Sequence, residues 1–599
     1  MSSLLLFWRH LFGQEVESLR RGPAVIGSDE SVRAEATIFL VLRRMRAPLI
    51  ILILIFAVTV LGLVLIPGRD AQGHVYRMGF FDAFYFMSYT ASTIGFGELP
   101  YPFTEAQRMW VLASIFITVI GWAYAIGTLL TLLQDRAFRN ALAMQRFTRK
   151  VNRLREPFLL IAGYGNTGEL LGRSWDALGR GFVAIDVLAE RIDSLDVDPY
   201  NADVPGLVAD ACNPSHLEAA GLQHPCCEGV VALTNNDEAN LAVTMTAALL
   251  RPDLPVIART VSPAIEDRMQ AFGTPTVVNP FDRFGDHLRL AVKAPASYQL
   301  LSWFEGGPGS PLPERSQPPA RGRWVVCGYG RFGQELYSDL RAEGHAVTII
   351  DSDPAHSAHP SIVIGDASEP NVMAQAAVED AVGFVAGTDN DTTNLSLVAA
   401  ARRRNPDLYT AARQNQPANA PLFAAMKLDI LLVPSEVVAR EAYARLSTPL
   451  LWRFLQEIPT QGEDWALDLL NHLTGQCGFR MPDLWKVRMN PTEAPALTRW
   501  LASGDATLGD LLRDPQDRDQ RLAVTPLLLL QGDRVTLCPQ GPIPLAADDE
   551  VLFVGRPSAR RAMETTMTSE AGSAYVVSGT RLPAGWVWRR LSRSRSAPI

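Results

Sequence analysis

Two long apolar stretches dominate the first quarter of the chain. Residues 47–68 and 109–133 carry no charged side chain and run for 22 and 25 residues. At ~1.5 Å per helical residue each is long enough to cross the hydrocarbon core of a bilayer. Leu49-Ile-Ile-Leu-Ile-Leu-Ile-Phe56 has no polar face, which suits lipid better than the core of a soluble domain. From about residue 157 the pattern changes: short apolar runs alternate with amphipathic helical stretches. Near-continuous apolar strands of this kind predict parallel sheets covered by helices on both faces.

Charge gives the membrane part a direction. Arg33, Arg43, Arg44 and Arg46 precede the first span, and Arg136, Arg139, Arg146, Arg149, Lys150, Arg153 and Arg155 follow the second. The intervening segment holds only Arg69, Arg77 and Arg108. Positive loops stay on the cytoplasmic side, so both termini are expected there, in a multi-pass protein of the cell membrane. The polar segment 1–45 ahead of the first span, with a second span following, argues against a cleaved signal peptide.

Between the spans, Phe80-Phe-Asp-Ala-Phe-Tyr-Phe-Met-Ser-Tyr-Thr90 is rich in aromatics and is expected to form a re-entrant helix over 80–90. An interfacial aromatic belt is the alternative. Ser92-Thr93-Ile94-Gly95-Phe96-Gly97-Glu98 follows directly. Alternating glycines permit unusual backbone angles, so that carbonyls can line an ion path. This segment, 92–98, resembles the selectivity filter of the potassium channel family, usually TVGYG, with Ile94 for Val, Phe96 for Tyr and Glu98 for Asp. The resemblance implies potassium bound at the carbonyls of Thr93, Ile94, Gly95 and Phe96, the Thr93 hydroxyl at the innermost ring, and Glu98 at the outer mouth. Two spans cannot enclose a water path alone, and the resemblance makes the number of chains four. In the second span Gly121 and Gly127 are candidate gating hinges, with close packing against the re-entrant helix as the alternative.

The remainder contains a repeat. Pro157-Phe-Leu-Leu-Ile-Ala-Gly-Tyr-Gly-Asn-Thr-Gly168 is matched by Arg323-Trp-Val-Val-Cys-Gly-Tyr-Gly-Arg-Phe-Gly333. Each is an apolar strand, a GxGxxG fingerprint and a helical pattern, followed by a second strand ending in Asp186 or Asp351. In such a fingerprint Gly163 and Gly328 serve the tight turn, Gly165 and Gly330 admit a phosphate at the helix amino end, and Gly168 and Gly333 allow close helix–strand packing. Asn166, Thr167, Arg331 and Phe332 fill the variable positions. Asp186 and Asp351 can accept from a ribose, which favours NAD(H), AMP, ADP or ATP. Thr234 and Thr388, like Pro280 and Pro434, keep the two copies in step.

The repeat resembles the RCK family (regulators of potassium conductance, also KTN or TrkA-N). That resemblance implies that Asp210 and Asp366 lie near an adenosine ribose and that Arg259 and Arg413 reach phosphate. It also implies an eight-lobed gating ring in a homotetramer. The expected fold class is thus an α-helical pore domain (46–135), a gating linker (136–156), two Rossmann-like α/β domains (157–305 and 322–460) and an α+β carboxyl-terminal lobe (461–560). Residues 280–305 and 435–460 are expected to be crossover and interface helices. A Pro/Gly linker without a core is expected over 306–321 and a disordered basic tail over 561–599.

Calcium is a second candidate effector, through Glu228, Asp237, Asp389 and Asp391, although no ligand spacing marks a site. Cys212, Cys226, Cys227, Cys327, Cys477 and Cys538 show no CxxC pair, which argues against zinc, and a reducing cytoplasmic face argues against disulfides. A net charge of −8 speaks against nucleic acid as the main partner. The reading is a nucleotide-regulated potassium channel, not an enzyme. A less selective cation channel and a membrane-anchored regulator of potassium transport are the alternatives. An NAD-dependent oxidoreductase comes last, because no acid–base pair beside a nicotinamide site is evident.

Overall fold

The computed structural model describes residues 29–581 apart from 98–100, 274, 316, 318 and 358. Glu98 therefore lies outside the described residues, as does the tail from 582. The chain divides into two compact units. One runs to Arg155 and takes in Asn213–Pro225; the other comprises Glu156–Cys212 and the chain from Cys226 onward.

In the first unit, α1 (Asp29–Leu65) and α3 (Glu105–Gln134) each contain a stretch long and apolar enough to span a membrane, Arg46–Leu65 and Glu105–Thr131. Only 22% of each window is buried, which is the expected state of a helix whose outer face meets lipid. The short helix α2 (Phe80–Ala91) sits between them. Its inner face packs Ala83, Phe86, Met87 and Tyr89 against Val60, Leu63 and Met78. Glycines set the contact between the long helices: a Cβ at Gly62 would collide with the Trp110 ring, whose Nε1 donates to the Thr59 carbonyl at 3.0 Å. After Gln134 the chain forms an amphipathic helix, α4 (Arg136–Val151), burying Ala141, Phe147 and Val151. The exposed Arg139, Arg146 and Arg149 belong to the same helix.

The second unit opens with β1 (Phe158–Ala162), α5 (Asn166–Ala177), β2 (Gly181–Asp186), β3 (Gly206–Val208), β4 (Cys227–Ala232), α6 (Asp237–Leu250), β5 (Val256–Arg259) and β6 (Thr276–Val278). The crossover helices α7 (Pro280–Lys293) and α8 (Pro295–Glu305) follow. The plan then repeats as β7 (Arg323–Cys327), α9 (Arg331–Ala342), β8 (Ala346–Asp351), β9 (Ile362–Ile364), β10 (Ala381–Ala386), α10 (Asp391–Arg404), β11 (Tyr409–Arg413), β12 (Ile430–Leu432), α11 (Pro434–Ser447) and α12 (Pro449–Gln461). Both sheets are six-stranded and parallel, in the orders β3-β2-β1-β4-β5-β6 and β9-β8-β7-β10-β11-β12. This is the doubly wound order in which a ligand crevice opens beyond the carboxyl ends of the two central strands. The predicted α/β class holds for both copies.

The cores are exchanged. Phe281, Phe284, Leu288 and Ala291 of α7 belong to the core of the second copy, while Val438, Ala439 and Ala442 of α11 belong to that of the first. Arg283 of α7 donates to Glu441 of α11 at 3.0 and 3.3 Å, and Arg445 donates to the same carboxylate at 2.6 and 3.0 Å. Each copy thus finishes the other's apolar surface, and an ion triad of two part-buried arginines around the buried Glu441 fixes the exchange.

The last lobe combines α13 (Glu463–Cys477) with an antiparallel sheet of β13 (Asp483–Arg488), β14 (Val524–Gln531), β15 (Arg534–Leu537) and β16 (Glu550–Gly555), ordered β13-β16-β14-β15. Two expectations need correction. The segment expected as a coreless linker is tied down: Gly309 N–H donates to the Met481 carbonyl at 2.7 Å, Leu312 N–H to that of Phe479 at 2.9 Å, and Leu312 packs on the lobe's core. A Pro/Gly-rich composition does not exempt backbone amides from needing partners. The segment expected as a disordered tail begins as the helices α14 (Pro557–Thr568) and α15 (Glu570–Ser578), which bury Met563, Met567, Ala574 and Val576. Its arginines concealed that apolar pattern.

Candidate functional site

The pore loop grows out of the carboxyl end of α2. The Tyr89 carbonyl accepts from Ile94 N–H at 3.0 Å and Gly95 N–H at 3.2 Å, and Thr90 accepts from Thr93 N–H at 3.1 Å. Thr93, Gly95 and Gly97 then take positive φ of 63°, 66° and 76°. Glycine adopts such angles freely; a β-branched threonine does not. Tyr89 is buried behind the loop and meets the Phe96 ring edge-on at 6.0 Å, while Phe86 contacts Phe103 at 5.0 Å. Gly121 lies where a Cβ would press Ile55 Cδ1 of α1 at 2.8 Å; at Gly127 a Cβ meets nothing within 4 Å. The close packing of Gly121 is therefore with the first span.

In the second unit the two fingerprint loops open into one cavity of about 1380 Å³. Gly163 and Gly328 both hold φ +95°. A Cβ on Gly163 would stand 2.6 Å from Thr234 N, and one on Gly168 or Gly333 would strike the carbonyl oxygen of Gly163 or Gly328. These are the turn and the close helix approach that the fingerprint requires. Helices α5 and α9 begin at Gly165 and Gly330 with no side-chain cap, so their first amides face the cavity as anion donors.

The acids sit at the strand ends. Asp186 accepts from Tyr164 N–H at 2.8 Å and Leu188 N–H at 2.9 Å. Asp351 accepts from Tyr329 N–H at 2.5 Å and Asp353 N–H at 2.8 Å, and contacts His356 Nδ1 at 3.3 Å. Burial pushes the Asp351 carboxyl up, but those hydrogen bonds outweigh it and hold it below the ordinary range. Asp210 and Asp366 accept from Cys212 and Ser368 N–H at 2.9 and 2.8 Å and also line the cavity. Arg259 donates to Asn235 Oδ1 at 2.6 Å, and Arg413 lies 5.1 Å over the Phe281 ring. Their buried Nε atoms have no hydrogen-bond partner, and burial lowers both guanidinium pKa values. Arginines with an unpartnered buried Nε and no paired carboxylate, lining the same cavity as two uncapped helix starts, fit the phosphate of an adenine nucleotide, and the strand-end carboxylates fit its ribose.

Two domain families match. The TrkA-N domain family matches residues 159–280 and 324–434, and the ion channel family matches residues 49–135. The chain joins an ion-channel module to two TrkA-N modules. Potassium channel protein 1 of Methanocaldococcus jannaschii is 25% identical over 234 residues, 39% of this chain and 66% of that protein. A Trk system potassium uptake protein TrkA homolog of Pyrococcus horikoshii is 28% identical over 151 residues, 23% of this chain and 65% of its own length. The chain thus spans just under two thirds of these relatives. Among solved structures, "GsuK channel bound to NAD" aligns over 90% of this chain and all of that one, with 15% identity and a TM-score of 0.41.

Within the TrkA-N modules the predicted residues separate by role. Gly163, Gly165, Asn166, Thr167, Asp186, Asp210, Arg259, Gly328, Gly330, Arg331, Gly333, Asp351, Asp366 and Arg413 all line the shared cavity. Phe332 does too, but it is buried against Phe281 at 5.5 Å and Phe284 at 5.3 Å and works as a packing residue. Gly168 acts through packing alone. Arg331 reaches Asp237 of the other module at 3.4 Å.

Two residues escaped the sequence reading. Asn240 accepts from Thr234 N–H and Oγ1 and donates to the Thr234 and Arg259 carbonyls; Asn394 repeats this with Thr388 and Arg413. Each asparagine clamps one strand end to the next and so sets the cavity arginine. Their common offset of six residues from the matched threonines was the available signal.

Calcium finds no support. Asp391 is saturated by Asn415 N–H and Nδ2, Gln416 N–H and Asn419 Nδ2 at 2.6–2.9 Å. Glu228 pairs with Arg180 at 3.2 Å and Asp237 with Arg331. Among the described residues no group of three His, Cys, Asp or Glu is placed to hold a metal.

Proposed function

We propose that this chain is one subunit of a potassium-selective channel in the cell membrane, four copies surrounding one path. Adenine nucleotide bound by the TrkA-N pair biases its opening. The observation that carries the reading is the alternation of left-handed residues at Thr93, Gly95 and Gly97. Reversing the sign of φ at every second residue of an extended segment turns successive carbonyls to the same side, where they can replace a cation's hydration shell. Ile94 and Phe96, 62% and 65% exposed in one subunit, are apolar surfaces that neighbouring subunits would cover. The ion follows from the TIGFG sequence and from the relative named as a potassium channel protein.

The nucleotide acts as an allosteric ligand, by a difference in affinity between two conformations of the TrkA-N pair. It is not a hydride donor, and the cytoplasmic placement of both termini follows from the arginine distribution. Purified protein reconstituted in planar bilayers under a potassium gradient tests this. We expect a potassium-selective current that changes when AMP, ADP, ATP, NAD+ or NADH is added to the cytoplasmic side. A protein that binds nucleotide yet never conducts, or that conducts sodium equally, would overturn the reading.

A further inference from the structure

The two TrkA-N modules share a fold but not the chemistry around their strand-end acids. In the first, Asp186 is followed by Val187 and Leu188, which line the cavity while 64% and 45% exposed. Apolar side chains held open to solvent at the mouth of a polar cleft fit the face of an aromatic base. The second module has Ser352 and Asp353 instead, and Asp353 is spent on a local turn through Ala355 N–H at 2.9 Å.

Five residues beyond each acid the contrast repeats. Arg191 stands over the first glycine loop, where it lines the cavity and occupies the space a Cβ at Gly165 would need. Its counterpart is His356, whose Nδ1 lies 3.3 Å from Asp351 Oδ1 and whose ring meets Tyr329 edge-on at 5.2 Å. Oδ1 of Asp351 therefore already has two contacts, from Asp353 N–H and His356, whereas each oxygen of Asp186 has a single backbone donor. A carboxylate oxygen offers about two lone-pair sites. Asp186 keeps acceptor capacity for both ribose hydroxyls, and Asp351 does not.

We propose that adenosine recognition belongs to the first TrkA-N module alone. Asp186 receives the ribose, Val187 and Leu188 pack on the adenine, and Arg191 meets the phosphates. The second module retains the anion-attracting loop but has lost its base and ribose contacts. This rests on the nucleotide reading above.

Equilibrium dialysis of the purified full chain with radiolabelled ADP tests it. One ADP per chain is expected. Asp186→Asn and Arg191→Gln should each weaken binding at least tenfold, while His356→Ala stays within twofold of the parent. Hydrogen exchange of the unaltered protein gives an independent readout: ADP should protect the amides of 164–172 and leave 329–337 unchanged. Two ADP per chain, loss of binding in His356→Ala, or protection confined to 329–337 would overturn the assignment to the first module. Absence of binding by ADP, AMP and NAD+ alike would overturn the nucleotide reading together with it.

Discussion

A Cβ at Gly95 would touch nothing within 4 Å in its own subunit, yet the residue holds φ +66°. The obstacle to substitution is thus conformational, about 1–2 kcal/mol for an L-residue in the left-handed region. Gly95→Ala should relieve that strain by turning a carbonyl off the ion path. We expect lost or unselective conduction, read as a collapsed potassium–sodium reversal potential, with ADP binding unchanged. Potassium selectivity as in the parent would remove the filter assignment. At Asn394 the effect is on stability. The side chain is fully buried and satisfies Thr388 N–H, the Thr388 carbonyl and the Arg413 carbonyl. Asn394→Ala strands those three groups at about 1–3 kcal/mol each; urea denaturation should show a loss of about 3 kcal/mol or more. The threonines were legible because they recur in register. The asparagines were not, because their partners are carbonyls on strands that only the folded sheet brings together.

The paired helices α7 and α11 hold the exchange between modules, and two acids there carry opposite expectations. Glu441 is 5% exposed and bridges Arg283 and Arg445. Glu441→Gln leaves Arg445 without its carboxylate and Arg283 with only Asp286 at 3.7 Å, and a broken buried pair costs about 3–5 kcal/mol. A marked fall in melting temperature should follow, and a change of less than a degree would mean that the triad is not formed. Asp339 on α9 faces Gly285 of α7, with one buried oxygen lacking a hydrogen bond. Burial, partly offset by Arg289 and reinforced by Glu335, Asp286 and Asp282, pushes its carboxyl up to about 6. An acid whose folded pKa exceeds its unfolded value of about 3.9 favours folding below that value and loses the benefit as pH rises to its folded pKa. Asp339→Asn should therefore stabilise the protein by about 1–2 kcal/mol at pH 7.5, after discounting for solvent screening, and should change little near pH 4. Equal effects at both pH values would show that the carboxyl titrates normally.

Across the whole molecule, assembly is the quantity to measure. Phe80, Phe81, Phe84 and Tyr85 of α2 are 70%, 75%, 44% and 40% exposed within one subunit. A re-entrant helix with that much aromatic surface needs neighbours or lipid to cover it. Light scattering of the detergent-solubilised protein should give four chains per particle, and a stable monomer would exclude a pore shared between subunits.

The strong signals in the sequence were local ones. Membrane-length apolar runs, TIGFG beside an aromatic helix, and two glycine fingerprints each ending in a strand-end acid are short-range patterns that lone segments express through backbone sterics and periodicity. They determined the pore-plus-tandem-α/β architecture before any contact was known. Tertiary structure alone decided that α7 and α11 change partners and that both loops open into one cavity. It also decided that the segment around Leu312 is anchored and that the arginine-rich stretch after 557 folds as helices. It alone showed that His356 occupies Asp351 while Asp186 stays available. Each of these turns on which distant groups meet, and on whether a buried amide, carboxylate or guanidinium finds a partner, which no single stretch of sequence encodes.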